Sequence, residues 1–462
     1  MDEQSVQRLV SGVIKTQREH GDIWPSLLTR QFCEFYDGLD LSGKNRFLNT
    51  LAVDFGINIK DAAEAVRQFE DSLGKNDRTV QRSTQRLRDV LKPAYETLFN
   101  RINQLPDGVH FLIKLRADLL SLLEKDGNNA NLRSLNISLK TKLQDWFGIG
   151  FLELERLTWS SPAKILDKIM RYEAVHPIES WEDLKQRVGP GRLCYSFFHR
   201  SLPQEPLTFV HVALVKELSA EIHSILGDMS PETKDPKAAV FYSITSSQRG
   251  LSGVDLGNFL IKRVVNEIQR EYPSISIFST LSPIPGFRKW LSTTVNHEAE
   301  AVEKDTSFNS LLLLSNESQD LRRIDSSKHP ILVLKDIASD TSWTSNEGKV
   351  SIVGPIIQRL CSRYIVLEKK RSFALDPVAN FHIRNGAAVH RINWLGDTSE
   401  KGMKQSFGIM VNYMYTLSDI ESNNQKYLLD GTISFTQPLQ QECLVWAKTQ
   451  QKDRLNGKSS KL

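Results

Sequence analysis

One segment, residues 238 to 287, constrains the fold of this chain more than any other. It begins with AAVFYSIT at residues 238–245, an apolar run rich in β-branched and aromatic residues, which predicts a buried strand. Residues 258–273 then place apolar side chains at helical spacing. Residues 275–280 alternate as a strand does, and two prolines follow closely. The segment therefore predicts a strand, a helix and a second strand.

A glycine-rich loop links the first strand to the helix. Its glycines allow the backbone to approach a ligand without a Cβ in the way. The first turn of the helix has free N–H groups and the positive end of the helix dipole, which favour an anion. The spacing matches neither the Walker A pattern nor the dinucleotide-binding pattern. From the residues alone, phosphate binding and a structural turn are equally supported for Gly250, Gly253 and Gly257.

Several longer motifs resemble those of the malonyl-CoA decarboxylases. The motifs are GLSGVDLGNFLIKRVV with FSTLSPIPGF, DPVANFHIRNGA, RINWLGD and GIMVNYMY, preceded by FLELERLTW and AVHPIESWEDLKQRVGPGRLCYSFFH. The resemblance covers most of residues 146–415. It implies an α+β chain whose catalytic domain has a mixed α/β fold similar to the GCN5-related acetyltransferases. In that fold, a loop between a strand and a helix holds the coenzyme A pyrophosphate.

The pattern changes near residues 144–150, where helical spacing gives way to strand-like runs. We expect a helical bundle domain at residues 1–147 and the acetyltransferase-like domain, with a targeting tail, at residues 148–462. The apolar stripe of residues 79–103 is typical of bundle core. No chemistry is found in the bundle, so its expected role is assembly. A homo-oligomer, dimer or tetramer, is predicted through it.

Composition excludes several classes of function. With 462 residues, 40% hydrophobic and 25% charged, and a net charge of +4, the chain is an ordinary folded protein with no general affinity for nucleic acid. No apolar run approaches a membrane span. The cysteines are far apart in the sequence, which suggests neither a zinc site nor a disulfide framework. They are Cys33, Cys194, Cys361 and Cys443.

The two ends of the sequence differ in how well they match targeting signals. The first residues, MDEQSVQRLVSGVIKTQ, match neither a secretory signal nor a good transit peptide. The last three, Ser460, Lys461 and Leu462, match the peroxisomal address. We therefore expect the peroxisomal matrix, with the cytoplasm left open as a second location, and the peroxisomal import receptor as a partner.

The resemblance assigns the catalytic residues. It places the family's active-site serine at Ser282, in SPIPGF, and its catalytic histidine at His382. Without it, Ser282 is better explained as a turn cap, and His382, in an apparent loop, is not distinguishable from His390. Asn380 is a candidate for orienting His382. The chemistry requires no redox cofactor and no obligatory metal, so none is predicted.

The resemblance also assigns the binding residues. Ser282 and His382 are expected to contact the malonyl end, and a loop is expected to hold coenzyme A with Ser252, Gly253, Val254, Asp255, Leu256, Gly257 and Asn258. Nearby basic residues are candidates for the other phosphates, although a solvated helix face explains at least half of them. They are Arg249, Lys262, Arg263, Arg288 and Lys289. For Tyr413, the sequence supports a packing role and a catalytic role equally. His176, His199 and His211 are expected to be satisfied core residues.

The function implied is decarboxylation of malonyl-CoA to acetyl-CoA and CO₂, in malonyl-CoA and fatty acid metabolism. An acyl-CoA-dependent transferase of the same fold and a non-catalytic acyl-CoA sensor are the alternatives. No acceptor-binding motif favours the transferase.

Overall fold

The computed structural model describes residues 3–15, 23–227, 235–254, 256–305, 308 and 310–436. Asp255 and the terminal Ser460, Lys461 and Leu462 lie outside these described residues. Within the described part of the chain, no helix is long and apolar enough to cross a membrane.

The described residues before the sheet form eight helices. They are α1 (Glu3–Lys15), α2 (Ile23–Asp37), α3 (Leu41–Asp54), α4 (Ile59–Glu70), α5 (Asp77–Val90), α6 (Tyr95–Asn103), α7 (Gly108–Lys125) and α8 (Ala130–Trp146). Polar side chains cap several of them, as Asn129 does for α8 by accepting from the amide of Leu132. Edge-to-face aromatic rings, among them Phe32 and Phe47, pack in their core.

The apolar stripe of residues 79–103 is not one helix of bundle core. It divides into α5 and α6, and Pro93 lies in the break, where a proline cannot continue the hydrogen-bond ladder. None of the described residues of α5 is buried, and Leu91 after it is 45% exposed. Only the second half, α6, contributes to the core, through residues such as Leu98 and Ile102.

A mixed sheet follows. Its strands are β1 (Leu152–Leu157), β2 (Arg192–His199), β3 (Thr208–Val215), β4 (Ala238–Ser246), β5 (Ile277–Thr280) and β6 (Ser282–Pro283), a separate hairpin of β7 (Lys369–Lys370) and β8 (Phe373–Ala374), then β9 (Ala388–Asn393) and β10 (Met410–Met414). The order is β1-β2-β3-β4-β5-β10-β6, with β9 also paired to β10.

Helices lie against this sheet and beyond it. They are α9 (Ala163–Tyr172), α10 (Trp181–Arg187), α11 (His223–Leu226), α12 (Leu256–Glu271), α13 (Phe287–Lys304), α14 (Ser315–Ile324), α15 (Pro330–Ser339), α16 (Glu347–Val366), α17 (Pro377–Arg384), α18 (Glu400–Ser406) and α19 (Ile420–Asp430). The α+β fold class, with a helical region before a mixed sheet, is confirmed.

The segment from β4 to β5 has the predicted order of strand, loop, helix and strand. β4 and β5 are parallel, with Ala238 opposite Ile277 and Phe241 opposite Thr280. The connecting helix α12 buries Leu260, Val264 and Ile268, the apolar stripe read from the sequence. Pairing between the strands ends at Phe241 and Thr280, although β4 continues to Ser246. The two strands therefore separate at this point.

The helical region and the sheet share one continuous cluster of buried apolar side chains. α8 ends at Trp146 and β1 begins at Leu152, close to the change in sequence pattern. The division into two domains at residue 147 remains a prediction.

Candidate active site

A cavity of about 360 Å³ lies where β4 and β5 separate. Gly253, Val254 and Gly257 of the glycine loop line it, and so do Ser282 and His382. Most of the remaining wall is apolar. The lining residues are Val175, Phe241, Tyr242, Ser243, Ile244, Ser246, Gly253, Val254, Gly257, Ser282, Pro283, Pro377, Val378, Phe381 and His382.

Ser282 and His382 meet in this wall although 100 positions separate them in the chain. Oγ of Ser282 lies 3.0 Å from Nε2 of His382. Both residues are buried, with exposed fractions of 5% and 3%. The geometry brings together the two residues that the resemblance assigned, while their catalytic role remains a prediction.

His382 lies on a helix, α17, rather than in the expected loop. Asp376 caps this helix by accepting from the amides of Val378 and Ala379 at 3.0 and 2.9 Å. Pro377 occupies the first helical position, where a proline is favoured because its missing N–H would be unpaired anyway. The turn-forming residues in the sequence therefore mark the ends of a short helix that holds His382 rigidly.

The hydrogen bonds fix the tautomer of His382. Ser282 donates its hydroxyl proton to Oγ1 of Thr280 at 2.9 Å, so its oxygen can only accept from Nε2 of His382. Nδ1 must then accept, and it lies 2.9 Å from the hydroxyl of Tyr415. Burial raises the pKa of Tyr415, which keeps this phenol protonated. The neutral ring therefore holds its proton on the nitrogen that faces Ser282.

Burial also sets the charge of His382. Desolvation lowers the pKa of its imidazole to about 3, since the charged ring would lose its hydration without gaining an acidic partner. At neutral pH His382 is therefore uncharged. The ring of Tyr413 stacks on it, with centroids 4.7 Å apart and planes inclined by 23°. The contact of Tyr413 with the site is thus through packing.

Tyr415, which bonds to Nδ1 of His382, is not among the predicted site residues. Asn380, the predicted candidate for orienting His382, does not do so. Asn380 instead accepts from the hydroxyl of Tyr427 at 2.8 Å. The motif GIMVNYMY did contain a signal, because Tyr413 and Tyr415 are two positions apart and side chains at that spacing share one face of a strand. Nothing in the motif indicates that Tyr415 bonds to His382, which lies 33 positions earlier in the chain.

The glycine loop lines the same cavity. Gly253, at a φ of 75°, lines it with Val254 and Gly257. At Gly257 a Cβ would lie 2.9 Å from the ring of Phe381, so only glycine fits without displacing α17. Ser252 is exposed, and Leu256 is buried in the core. The expected loop residues Asp255 and the side chain of Asn258 are not among those described.

None of the five basic candidates lines the cavity. Arg249 pairs with Glu124 at 2.7 Å, Arg263 donates to the carbonyl of Leu152, and Arg288 donates to the carbonyls of Ala338 and Ser339. Lys262 lines a separate cavity of about 330 Å³. Lys289 is exposed. A structural or solvated role therefore describes these five residues better than phosphate binding.

Two other buried histidines, His211 and His176, have fewer hydrogen bonds than expected, and His199, expected in the core, is only half-buried. Neither ring nitrogen of His211 has a hydrogen-bond partner among the described residues, and Nε2 lies 3.5 Å from a carboxylate oxygen of Glu173. Nε2 of His176 is also without a partner there. His199 accepts from the amide of Ser201. His390 lies outside the cavity wall, with Nδ1 3.0 Å from the hydroxyl of Thr436.

Comparison with known proteins identifies the family. A model of the malonyl-CoA decarboxylase C-terminal domain matches residues 150–455, and one of the N-terminal domain matches residues 55–147. The mitochondrial malonyl-CoA decarboxylase of Anser anser anser is 42% identical over 409 residues, 86% of this chain and 79% of that protein. The mitochondrial malonyl-CoA decarboxylase of Rattus norvegicus is 42% identical over 407 residues, which are 86% of this chain and 81% of that protein.

Solved structures agree. The malonyl-CoA decarboxylase of Rhodopseudomonas palustris superposes with a TM-score of 0.81 at 34% identity, over 96% of this chain and 100% of that one. The Agrobacterium vitis structure gives a TM-score of 0.80 at 30% identity, over 94% and 98%.

The relatives correct the expected location. The proteins from Anser anser anser, Rattus norvegicus and Mus musculus are all named mitochondrial, so the prediction of the peroxisomal matrix is wrong. That prediction used three terminal residues that lie outside the described part of the chain. Such a tripeptide is an address for a receptor and carries no information from the fold. The family, in contrast, follows from matches along nearly the whole chain: this protein belongs to the malonyl-CoA decarboxylase family.

Proposed function

We propose that this chain converts malonyl-CoA to acetyl-CoA and CO₂, with Ser282 and His382 acting together on the malonyl end. The observation that carries the proposal is the 3.0 Å contact between Oγ of Ser282 and Nε2 of His382 in the wall of the cavity. The same cavity reaches the glycine loop, so one acyl-CoA molecule can meet both.

The reaction breaks the bond between the malonyl carboxylate and the α carbon. The electron pair of that bond stays on the α carbon and is delocalised onto the thioester oxygen as an enolate. Carbon dioxide leaves, and the α carbon takes one proton to give acetyl-CoA. The site must therefore stabilise a developing negative charge and deliver a proton to carbon.

Ser282 is the group nearest the substrate in this scheme. Its hydroxyl releases Thr280 and donates to the malonyl group, which turns the carboxylate out of the thioester plane. The α carbon then takes the hydroxyl proton of Ser282 while Oγ takes the Nε2 proton of His382, so the negative charge of the enolate passes to the imidazole ring, where the hydroxyl of Tyr415 donates to Nδ1. The ring recovers a proton from solvent after the product leaves.

Tyr415 and Thr280 are positioning residues. The hydroxyl of Tyr415 donates to Nδ1 of His382 and so keeps the proton on Nε2. Thr280 accepts from Ser282 and from the amide of Tyr413 at 3.1 Å, which fixes the serine rotamer before substrate binds. Preorganisation of this kind leaves little to rearrange during the reaction.

The apolar wall serves the first step. Phe241, Val254 and Phe381 are among the apolar side chains that line the cavity. The localised charge of a carboxylate loses more hydration on entering such a space than the charge of the enolate, which is spread over the α carbon and the thioester oxygen. The reaction therefore becomes more favourable inside the cavity than in water.

The test is to incubate purified protein with malonyl-CoA and no acceptor. We expect carbon dioxide and acetyl-CoA in equal amounts. A transferase without an acceptor would leave malonyl-CoA intact, and an acyl-CoA sensor would bind it without change. Either result would contradict the proposal.

The same activity suggests a metabolic role. Decarboxylation removes malonyl-CoA and returns its remaining carbons as acetyl-CoA, and we propose that this serves fatty acid metabolism. Isotope tracing of malonyl-CoA in cells lacking the protein tests it, with slower loss of malonyl-CoA expected. An unchanged rate of loss would contradict the role.

We also propose that the helical region forms a homo-oligomer with a second copy of the chain. Its hairpin of α4 and α5 exposes apolar side chains that a lone chain would leave in water. Ile59, Val66, Leu73 and Leu91 are 74%, 41%, 58% and 45% exposed. Light scattering should give a multiple of 52.6 kDa, and Leu73→Asp should lower it. A wild-type mass equal to one chain at micromolar concentration would contradict this.

A further inference from the structure

The glycine loop is held in place by the helical region. At Gly250 a Cβ would lie 1.9 Å from the carbonyl oxygen of Ile113 on α7. One turn further along α7, Arg116 donates to the carbonyl of Gly250 at 2.6 Å and to that of Ser252 at 2.9 Å. The shape of the loop therefore depends on a helix that precedes it by 134 positions.

Arg116 places a positive charge behind this loop without an acid to balance it. The side chain is 2% exposed, and its remaining hydrogen bond goes to Oδ1 of Asn136 at 3.0 Å. No carboxylate among the described residues forms an ion pair with it, and burial lowers the pKa of its guanidinium to about 10. An unbalanced buried charge is unfavourable, and an anion bound at the loop would offset it.

Lys140 supplies a second cation at the same place. It lies on α8 one turn beyond Asn136, so the two side chains share a face of the helix. At Gly253 a Cβ would lie 3.1 Å from Nζ of Lys140 and 3.3 Å from its Cε. Within the described residues the ammonium of Lys140 forms neither a hydrogen bond nor an ion pair. Lys142 on the same helix, in contrast, lies 3.6 Å from Glu96.

We propose that Lys140 binds the pyrophosphate of the acyl-CoA substrate, together with the backbone around Gly253. Gly253 lines the cavity that leads to Ser282 and His382, so a phosphate held there directs the acyl group toward them. A lysine ammonium suits this task because it is a compact charge that accepts many phosphate geometries. The inference rests on the proposed function, since it takes the glycine loop as the coenzyme A site.

The helical region then has a binding role as well as a structural one. The amides of Leu251, Ser252 and Val254 donate within the loop, which leaves the amide of Gly253 as its donor to a phosphate among the described residues 251–254, while α8 supplies the charge. Neither part binds the pyrophosphate as well alone. This would explain why a region without catalytic side chains packs so closely on the loop through Ile113 and Arg116.

The experiment compares the affinity of the full-length protein for coenzyme A and for dephospho-coenzyme A, which lacks the 3′-phosphate but keeps the pyrophosphate. Lys140→Met should weaken both ligands alike, by about tenfold to a hundredfold in Kd, as expected for one lost charge-assisted hydrogen bond. Lys140→Arg should restore most of the affinity. Lys142→Met is the matched control and should bind both ligands as wild type does.

Two results would overturn the inference. One is wild-type affinity of Lys140→Met for both ligands. The other is a loss for coenzyme A alone, which would place Lys140 at the 3′-phosphate. With malonyl-CoA the loss should appear in KM rather than in kcat, because the pyrophosphate does not change during the reaction. If the wild type bound coenzyme A but failed to decarboxylate malonyl-CoA, the proposed reaction would fail while the binding comparison remained decisive.

Discussion

Two buried polar clusters among the described residues reach the cavity wall, one through Ser282 and His382 and the other through Ser243, whose hydroxyl donates to Glu173. The His382 cluster consists of Thr280, Ser282, His382 and Tyr415. The Glu173 cluster consists of Glu173, His176, His211, Ser243 and Thr245. Each contains a fully buried histidine whose charged form is disfavoured by desolvation. Burial alone therefore does not distinguish a catalytic histidine from a structural one.

The difference lies in how the hydrogen bonds are used. In the His382 cluster both ring nitrogens have partners, and Nε2 faces the serine in the cavity wall. In the Glu173 cluster the carboxylate accepts from the amides of Val175 and His176 and from the hydroxyl of Ser243. The carboxylate oxygens of Glu173 therefore accept hydrogen bonds from groups of the protein itself. His211 has no hydrogen bond to either nitrogen among the described residues, so its tautomer is not fixed.

The largest effect is expected at the catalytic histidine. His382→Asn should lower kcat by about a hundredfold to ten-thousandfold, the usual cost of losing a positioned acid–base group. Coenzyme A affinity should change little, because His382 is expected to act on the malonyl group, which coenzyme A lacks. Turnover and Kd measured on the same preparation test this.

His390→Asn is the matched control. His390 is a histidine near the site in sequence but outside the cavity wall, so its variant should keep nearly full turnover. Full activity of His382→Asn, or loss of activity in folded His390→Asn, would reverse the assignment.

The next effect concerns acid stability. Burial lowers the pKa of His211 to about 4, with Glu173 opposing the shift. The unfolded chain binds a proton here near pH 6.5 and the folded chain does not, so stability falls as pH falls from about 6.5 to 4. His211→Leu removes the group that binds this proton. The free energy of unfolding should then fall less steeply with falling pH, by about 1.4 kcal/mol per pH unit.

Urea unfolding of the wild type and His211→Leu between pH 7 and 5 measures the difference. At pH 7 we expect equal or greater stability of the variant, because it removes buried polar atoms without partners. An unchanged pH dependence would mean that His211 is charged in the folded protein.

A smaller loss of stability is expected at the centre of the Glu173 cluster. Glu173→Gln keeps the shape but turns an amide N–H₂ toward groups that donate, such as the amide of Val175. An unsatisfied buried donor costs about 1–3 kcal/mol, so the free energy of unfolding should fall by that amount. The loss of kcat in the folded variant should be far smaller than in His382→Asn. An equal loss of kcat would make the Glu173 cluster catalytic.

The smallest effect is expected at Tyr415. Tyr415→Phe removes one hydrogen bond to Nδ1 and no packing, which corresponds to about twofold to tenfold in kcat. KM should hold steady, because Tyr415 does not line the cavity. A change in KM with unchanged kcat would show that the residue supports binding rather than the orientation of His382.

The sequence alone predicted the local features well. The β4–loop–α12–β5 unit followed from apolar spacing, which residues close in the chain determine. The sequence predicts a loop around His382, because Pro377 and the Asn385–Gly386 pair resemble turns. The same residue types begin and end helices, and α17 is too short for its periodicity to show.

The contacts between distant parts of the chain were not predictable. Nothing near Arg116 or Lys140 indicates the loop that they meet, because the meeting depends on how the whole helical region packs. The roles of Ser282 and His382 came from the family's motifs rather than from their surroundings in the sequence. The location came from a terminal signal and was wrong.

The central claim is that Ser282 and His382 act as one unit on the malonyl group. The most direct measurement is kcat for Ser282→Ala, His382→Asn and the double variant, with malonyl-CoA and no acceptor. We expect each single variant to lose a large factor, and the double variant to be scarcely slower than the slower single one. Losses that multiply in the double variant would show two independent residues and contradict the account.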